Sequence, residues 1–335
     1  IHFSIVVDPN DPNTVYVGGD RQDTPFPNFI GAVNFSGRLF RGDTTVTPTG
    51  AVPSPQWEHL THSDSVTQTP GGGTASSSSP HADSREMTFL ANGDLIEGDD
   101  GGIYRRTSPQ DNTGDWLSIN GNLQITEFHN IAYDTSADII FGGAQDTGTP
   151  QQVTPGGLRW TSVSTADGGD VAVDVTSSPG MSVRYSSLQN LGAFRRRTYD
   201  ASNTLITQVF PALTVVGGGA AFAPQFVTPV EVNVVDGTRL ILGGSNSPYE
   251  SLDQAGTITE LTGVGGVNRD ALAYGGFQGT TPNADVLYVG SGANVFVRTA
   301  GTGSPTQAAA YPGGGVRDIV LDNDDFMTAY VIDTS

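Results

Sequence analysis

Neither cysteine nor lysine occurs in this chain of 335 residues. Without cysteine there is no disulfide framework, no thiolate nucleophile and no cysteine-based metal centre. Without lysine, all 15 basic residues are arginine, set against 35 acidic ones for a net charge of −20. A surface of that sign repels a phosphate backbone, so nucleic acid is excluded as a partner class, whereas divalent cations and neutral sugars are compatible with it. No run of 18 apolar residues exists, which leaves no membrane-spanning helix to predict and no direct membrane insertion. Residues 1–9 (IHFSIVVDP) have no basic segment ahead of an apolar core, so no signal peptide is visible. A composition free of both residues fits a protein exported to the cell surface or the extracellular space.

What the chain has in abundance is turns. Its 44 glycines and 20 prolines punctuate many short β-rich runs, with no sustained 3.6-residue apolar period. The unit is clearest in residues 5–19 (IVVDPNDPNTVYVGG): a β-rich run, an Asp/Asn/Pro turn, a second run, then Gly-Gly. Proline fixes φ and the Asp and Asn side chains bond local amides, so such a sequence ends one strand and starts the next. Weakened copies follow, and their second runs end at Gly18, Gly98, Gly142, Ser186, Gly243, Gly290 and Ile332. The steps between these anchors are 80, 44, 44, 57, 47 and 42 residues. Strand-only repeats in the forties predict an all-β fold, a β-propeller of seven blades built from four-stranded antiparallel sheets. The low-complexity stretch 67–80 (TQTPGGGTASSSSP) accounts for the longest step as a surface excursion. The last repeat reaches only two strands, at 316–321 and 327–332, so the seventh blade is expected to be incomplete. Residues 1–335 read as a single propeller domain and as a fragment of a longer exported protein.

Several segments together resemble the BNR or Asp-box group of propellers, which includes sialidase-like and xyloglucanase-like hydrolases and sortilin-type receptors. They are residues 8–20 (DPNDPNTVYVGGD), 81–89 (HADSREMTF), 98–106 (GDDGGIYRR), 117–134 (LSINGNLQITEFHNIAYD), 142–149 (GGAQDTGT) and 166–174 (ADGGDVAVD). The likeness is good to about residue 200 and continues beyond it by period alone. Residues 108–116 (SPQDNTGDW) keep the Ser, Asp, Gly and Trp of an Asp-box at stretched spacing, which implies a structural hairpin with the Trp packed between blades.

The resemblance implies two classes of function. One is a non-catalytic extracellular module with a structural, adhesive or ligand-binding role, whose partners are other chains of a surface assembly or carbohydrate. The other is a glycoside hydrolase of xyloglucanase-like type, in which Asp100 matches a catalytic position and Asp146 is a second candidate carboxylate. Such hydrolysis needs two carboxyl groups across the scissile bond, one of them protonated. A sialidase is disfavoured, because Arg195, Arg196 and Arg197 alternate faces along one strand and cannot converge on one ligand. His81 and Asp83 stand as a hydrogen-bonded pair, and Arg85 occupies the place where related propellers carry a second metal-ligating His. Asp99, Asp100, Asp146, Asp167 and Asp170 all flank innermost strands, where mutual repulsion makes them candidate Ca²⁺ ligands.

Overall fold

The computed structural model describes residues 2–52, 54–63, 72–309 and 311–335, and residues 67–71 of the low-complexity stretch lie outside them. The chain forms two compact units, residues 1–126 and residues 127–335. The first unit has two four-stranded antiparallel sheets in chain order. Sheet one holds β1 (Ser4–Asp8), β2 (Asp11–Arg21), β3 (Gly37–Asp43) and β4 (Trp57–His59); sheet two holds β5 (Glu86–Phe89), β6 (Leu95–Asp99), β7 (Gly102–Arg106) and β8 (Trp116–Ser118).

Five sheets make up the second unit. Sheet three runs through β9 (Phe128–Asp134), β10 (Ile139–Ala144), β11 (Pro150–Gln152) and β12 (Trp160–Ser162). Sheet four follows with β13 (Ala172–Asp174), β14 (Met181–Ser186), β15 (Arg195–Asp200) and β16 (Leu205–Val209). Sheet five contains β17 (Thr214–Val216), β18 (Val230–Val232), β19 (Leu240–Gly243), β20 (Pro248–Ser251) and β21 (Thr257–Glu260). Sheet six is β22 (Leu272–Gln278), β23 (Thr281–Ser291), β24 (Asn294–Arg298) and β25 (Thr306–Gln307), and sheet seven is the hairpin β26 (Val316–Leu321) and β27 (Ala329–Asp333).

The architecture is a β-propeller. Six sheets have four strands or more, the seventh has two, and every one of the seven repeat anchors lies in the second antiparallel strand of its sheet, counting sheet five from β18. Within the second unit the first strands stand side by side in the order β9, β13, β18, β22, β26, and within the first unit β1 stands beside β5. The only helical element among the described residues is one 3₁₀ turn, Gln189–Leu191, and no helix is long and apolar enough to cross a membrane.

The turn chemistry of the first repeat recurs at the end of four other first strands. Asp8, Asp134, Asp174, Asn233 and Asp322 each accept the backbone N–H of the residue two positions on. Such Asx turns stop one strand and aim the chain back as the next. Strand alternation sends successive side chains to opposite faces, and sheets five and six bury both faces against their neighbours. The cores therefore lie between successive sheets: Tyr16, Leu39, Leu60, Met87, Leu95 and Trp116 between one and two, with further clusters between four and five, five and six, and six and seven. The 108–116 hairpin has a structural role. Asp111 accepts the N–H and hydroxyl of Thr113, and buried Trp116 donates its indole N–H to the Leu60 carbonyl at 2.8 Å. One strand has no counterpart in the repeat: β17 pairs in parallel with β21 at the outer edge of sheet five.

Candidate functional site

The acidic residues singled out by sequence have separate fates. Asp100 is held by a bidentate fork from Arg85, Nε to Oδ1 at 2.9 Å and Nη2 to Oδ2 at 3.0 Å. Asp146, in the second unit, sits in a tight turn after β10 with φ of 57° and donates its N–H to Asp167 Oδ1 at 3.1 Å. Asp170 is buried just before β13 and accepts two backbone amides, Val171 at 2.8 Å and Val230 at 2.7 Å. Asp146 and Asp167 are thus brought together, while Asp170 is used to tie sheet four to β18. The His81–Asp83 pair does not form. Asp83, at φ 70°, places its carboxylate 2.9 Å from the Nδ1 of His2, because a left-handed backbone turns the side chain away from the alternating direction. His81 Nδ1 instead lies 3.2 Å from the Ala82 carbonyl.

Asp99 differs from the other four. Its Oδ1 accepts the Gly101 N–H at 2.8 Å, but its Oδ2 is buried without a hydrogen-bond partner, as are both carboxyl oxygens of Glu97. The two acids sit two residues apart on β6 and so share a face with Leu95, which packs against Tyr16 and Leu39 of sheet one. Glu97 is 0% exposed. Directly across from it on the neighbouring strands are Met87 and Tyr104. Ser84, hydrogen-bonded to Ser4 through a 2.6 Å hydroxyl pair, lies beside it. Burial, reinforced by the Asp99 charge, holds the Glu97 carboxyl far above the usual carboxylate range. Burial also raises Asp99, opposed by its contact with Glu97, by His81 and by the amides of Gly101 and Gly102. The Gly-Gly turn that follows is clamped by Asn120, whose Oδ1 accepts the Ile103 N–H at 2.7 Å and whose Nδ2 donates to the Gly101 carbonyl at 2.9 Å. Gly102 has φ of 125°, and a Cβ there would fall 2.0 Å from Asn120 Oδ1, so the position admits only glycine.

A cavity of about 620 Å³ opens in the second unit along the first strands of its sheets. Asp170, Glu231, Asp270, Asp318 and His129 contribute its polar wall, and Leu272, Tyr274, Phe277 and Val320 contribute apolar surface. His129 is fixed at both ring nitrogens, by the Gly168 carbonyl at 2.7 Å and Gln145 Oε1 at 3.1 Å. Burial pushes Asp170 up to about 7, with the two backbone amides pulling down and Asp270 pushing up. Glu231 is pushed up to about 8 by burial and then by the charges of Asp170 and Asp318. Sequence reasoning named Asp170 but missed Glu231, Asp270 and Asp318, as it missed Glu97. The signal for Glu97 was present: in 95–99 (LIEGD), period 2 places Glu97 on the apolar side with Leu95.

No family model matches the chain, and no curated protein does. Among solved structures, Sqt1 from Saccharomyces cerevisiae aligns over 98% of this chain and 79% of its own, at 10% identity and a TM-score of 0.41. Sqt1 from Chaetomium thermophilum aligns over 96% and 74%, at 18% identity and a TM-score of 0.36.

Proposed function

We propose that this chain is a non-catalytic propeller module of the BNR or Asp-box kind, part of a larger extracellular or cell-surface protein, with a binding role toward other protein chains. The observation that carries the reading is the cavity of the second unit, with five acidic side chains in its wall, Asp170, Glu231, Asp270, Asp318 and Asp322, and apolar side chains beside them. An acidic wall of that density, to which Arg269 brings one guanidinium 3.5 Å from Asp270, matches an arginine or lysine side chain presented by a partner. The hydrolase alternative requires a protonated and an ionised carboxyl that both reach the substrate. Asp100 is committed to Arg85, and the pair with unequal protonation includes Glu97, which is fully buried.

Incubation with xyloglucan and other β-glucans should release no reducing ends from the chain or from Asp100→Asn. Titration with arginine-rich peptide should show salt-sensitive binding, weakened at least fivefold in Asp270→Asn combined with Asp318→Asn. Glycan cleavage that is lost in Asp100→Asn would overturn the proposal and establish the hydrolase.

A further inference from the structure

The acidic cavity of the second unit does not end at its acids. A second cavity of about 460 Å³ runs along β9, β13 and β18 and shares Asn130, Glu231 and Val234 with it. The two are lined differently. Apart from Glu231, the acid in the second wall is Asp174, which is taken up by the amides and hydroxyls of Thr176 and Ser177 in its own turn. The rest of that wall is mainly apolar, with Ile131 and Tyr133 on β9, Val173 on β13 and Val234 just after β18. Ile131, Tyr133 and Val234 are 61%, 53% and 51% exposed, so they stand outside the packed cores between sheets. Apolar surface open to water in this way gains free energy when a ligand covers it.

Glu231 stands where the two linings meet. Among the described residues no hydrogen bond to its carboxyl opposes the charges of Asp170 and Asp318. The acids of the first wall are spread from just before β13 to just after β26, and among the described residues no three of them gather closely enough to hold one metal ion. A guanidinium, planar and with five donors, reaches several such carboxylates where a compact ion cannot. Arg269 offsets Asp270 alone. In an extended peptide the side chains two positions apart point the same way, so one segment can offer a basic and an apolar group to one wall.

We infer that the two cavities form one bipartite site, an inference that rests on the binding role proposed above. Its occupant is an extended segment of a partner chain, with an arginine seated among the acids. An aliphatic side chain two positions away covers Ile131, Tyr133 and Val234.

The test compares two peptides, Gly-Leu-Ser-Arg-Ser-Leu-Gly and Gly-Ser-Ser-Arg-Ser-Ser-Gly, titrated calorimetrically into the full chain at low salt. A pH of 8.5 is used, above the value of about 8 to which Glu231 is raised. The leucine peptide should bind about tenfold more tightly than the serine peptide, the return on covering one aliphatic side chain. Ile131→Asn, at an exposed position, should remove most of that advantage and leave the serine peptide's affinity unchanged. Asp270→Asn combined with Asp318→Asn should weaken both peptides alike. Equal affinities for the two peptides, or an Ile131→Asn variant that still distinguishes them as the wild type does, overturns the bipartite site and leaves the acidic cavity as the whole site. Failure of both peptides to bind the wild type overturns the binding role and this inference with it.

Discussion

At the scale of single residues, the second unit is held by arginines that reach into buried acids on adjacent sheets. Arg184 of β14 pairs with Asp134 at the end of β9, 2.7 Å apart with both groups almost fully buried, and its guanidinium lies 4.0 Å from the Tyr199 ring centroid. Glu250 of β20 receives Arg298 at 2.6 Å, Arg239 at 3.2 Å and the Tyr274 hydroxyl. Such clusters add little over a well-packed apolar core, yet removing one member strands the others. Glu250→Leu leaves the buried Arg298 guanidinium without its carboxylate and Arg239 with Asp285 alone, 3.0 Å away. It should cost about 3–5 kcal/mol, read as a fall in the urea midpoint at unchanged slope. A loss under 1 kcal/mol would show that water reaches the arginines. None of this was legible in advance. Residues 247–252 (SPYESL) show no alternation that marks Glu250 as interior, because both faces of β20 are buried. The Asx turns were legible, since an aspartate or asparagine ahead of a turn acts on its own backbone whatever the fold around it.

At the scale of elements, the anchors identified the second strand of every sheet, and the reason is steric. Gly143 in β10 lies against the chain entering sheet four, and a Cβ there would stand 1.7 Å from the Gly169 carbonyl oxygen. The Gly-Gly at this strand end thus sets how closely sheets three and four approach. Gly143→Ala should force the two sheets apart and destabilise by about 1–3 kcal/mol, whereas Gly156→Ala, in a turn with open space around it, tests only the cost of positive φ at 64°. Finding Gly143→Ala no worse than Gly156→Ala would refute the packing account. Strand β17 escaped the repeat reading for the complementary reason. Its parallel pairing with β21 depends on where the 210–229 segment travels after leaving sheet four, and local pattern does not encode that path.

At the scale of the whole molecule, titration sets the conditions under which the fold is most stable. In the second unit Asp170 and Glu231 have folded pKa values of about 7 and about 8, above the 3.8 and 4.5 of free side chains. A raised pKa means that the folded state binds the proton more tightly, so this contribution is complete below about pH 4 and is lost as pH rises through 7 and 8. Asp253, Asp285 and Asp333 act in the opposite sense. Their carboxylates accept hydrogen bonds that hold their pKa below the free value, so their contribution is complete above it and is lost on acidification. The two windows meet at about pH 4, so stability is maximal there, more acidic than neutral buffer. Melting temperatures measured from pH 3 to pH 9 should trace that dome, and Glu231→Gln, which cannot ionise, should flatten its alkaline limb without altering the acid one. An alkaline limb unchanged in Glu231→Gln would mean that the cavity hydrates enough for Glu231 to ionise at no cost, and that its wall is already charged when a cationic partner arrives.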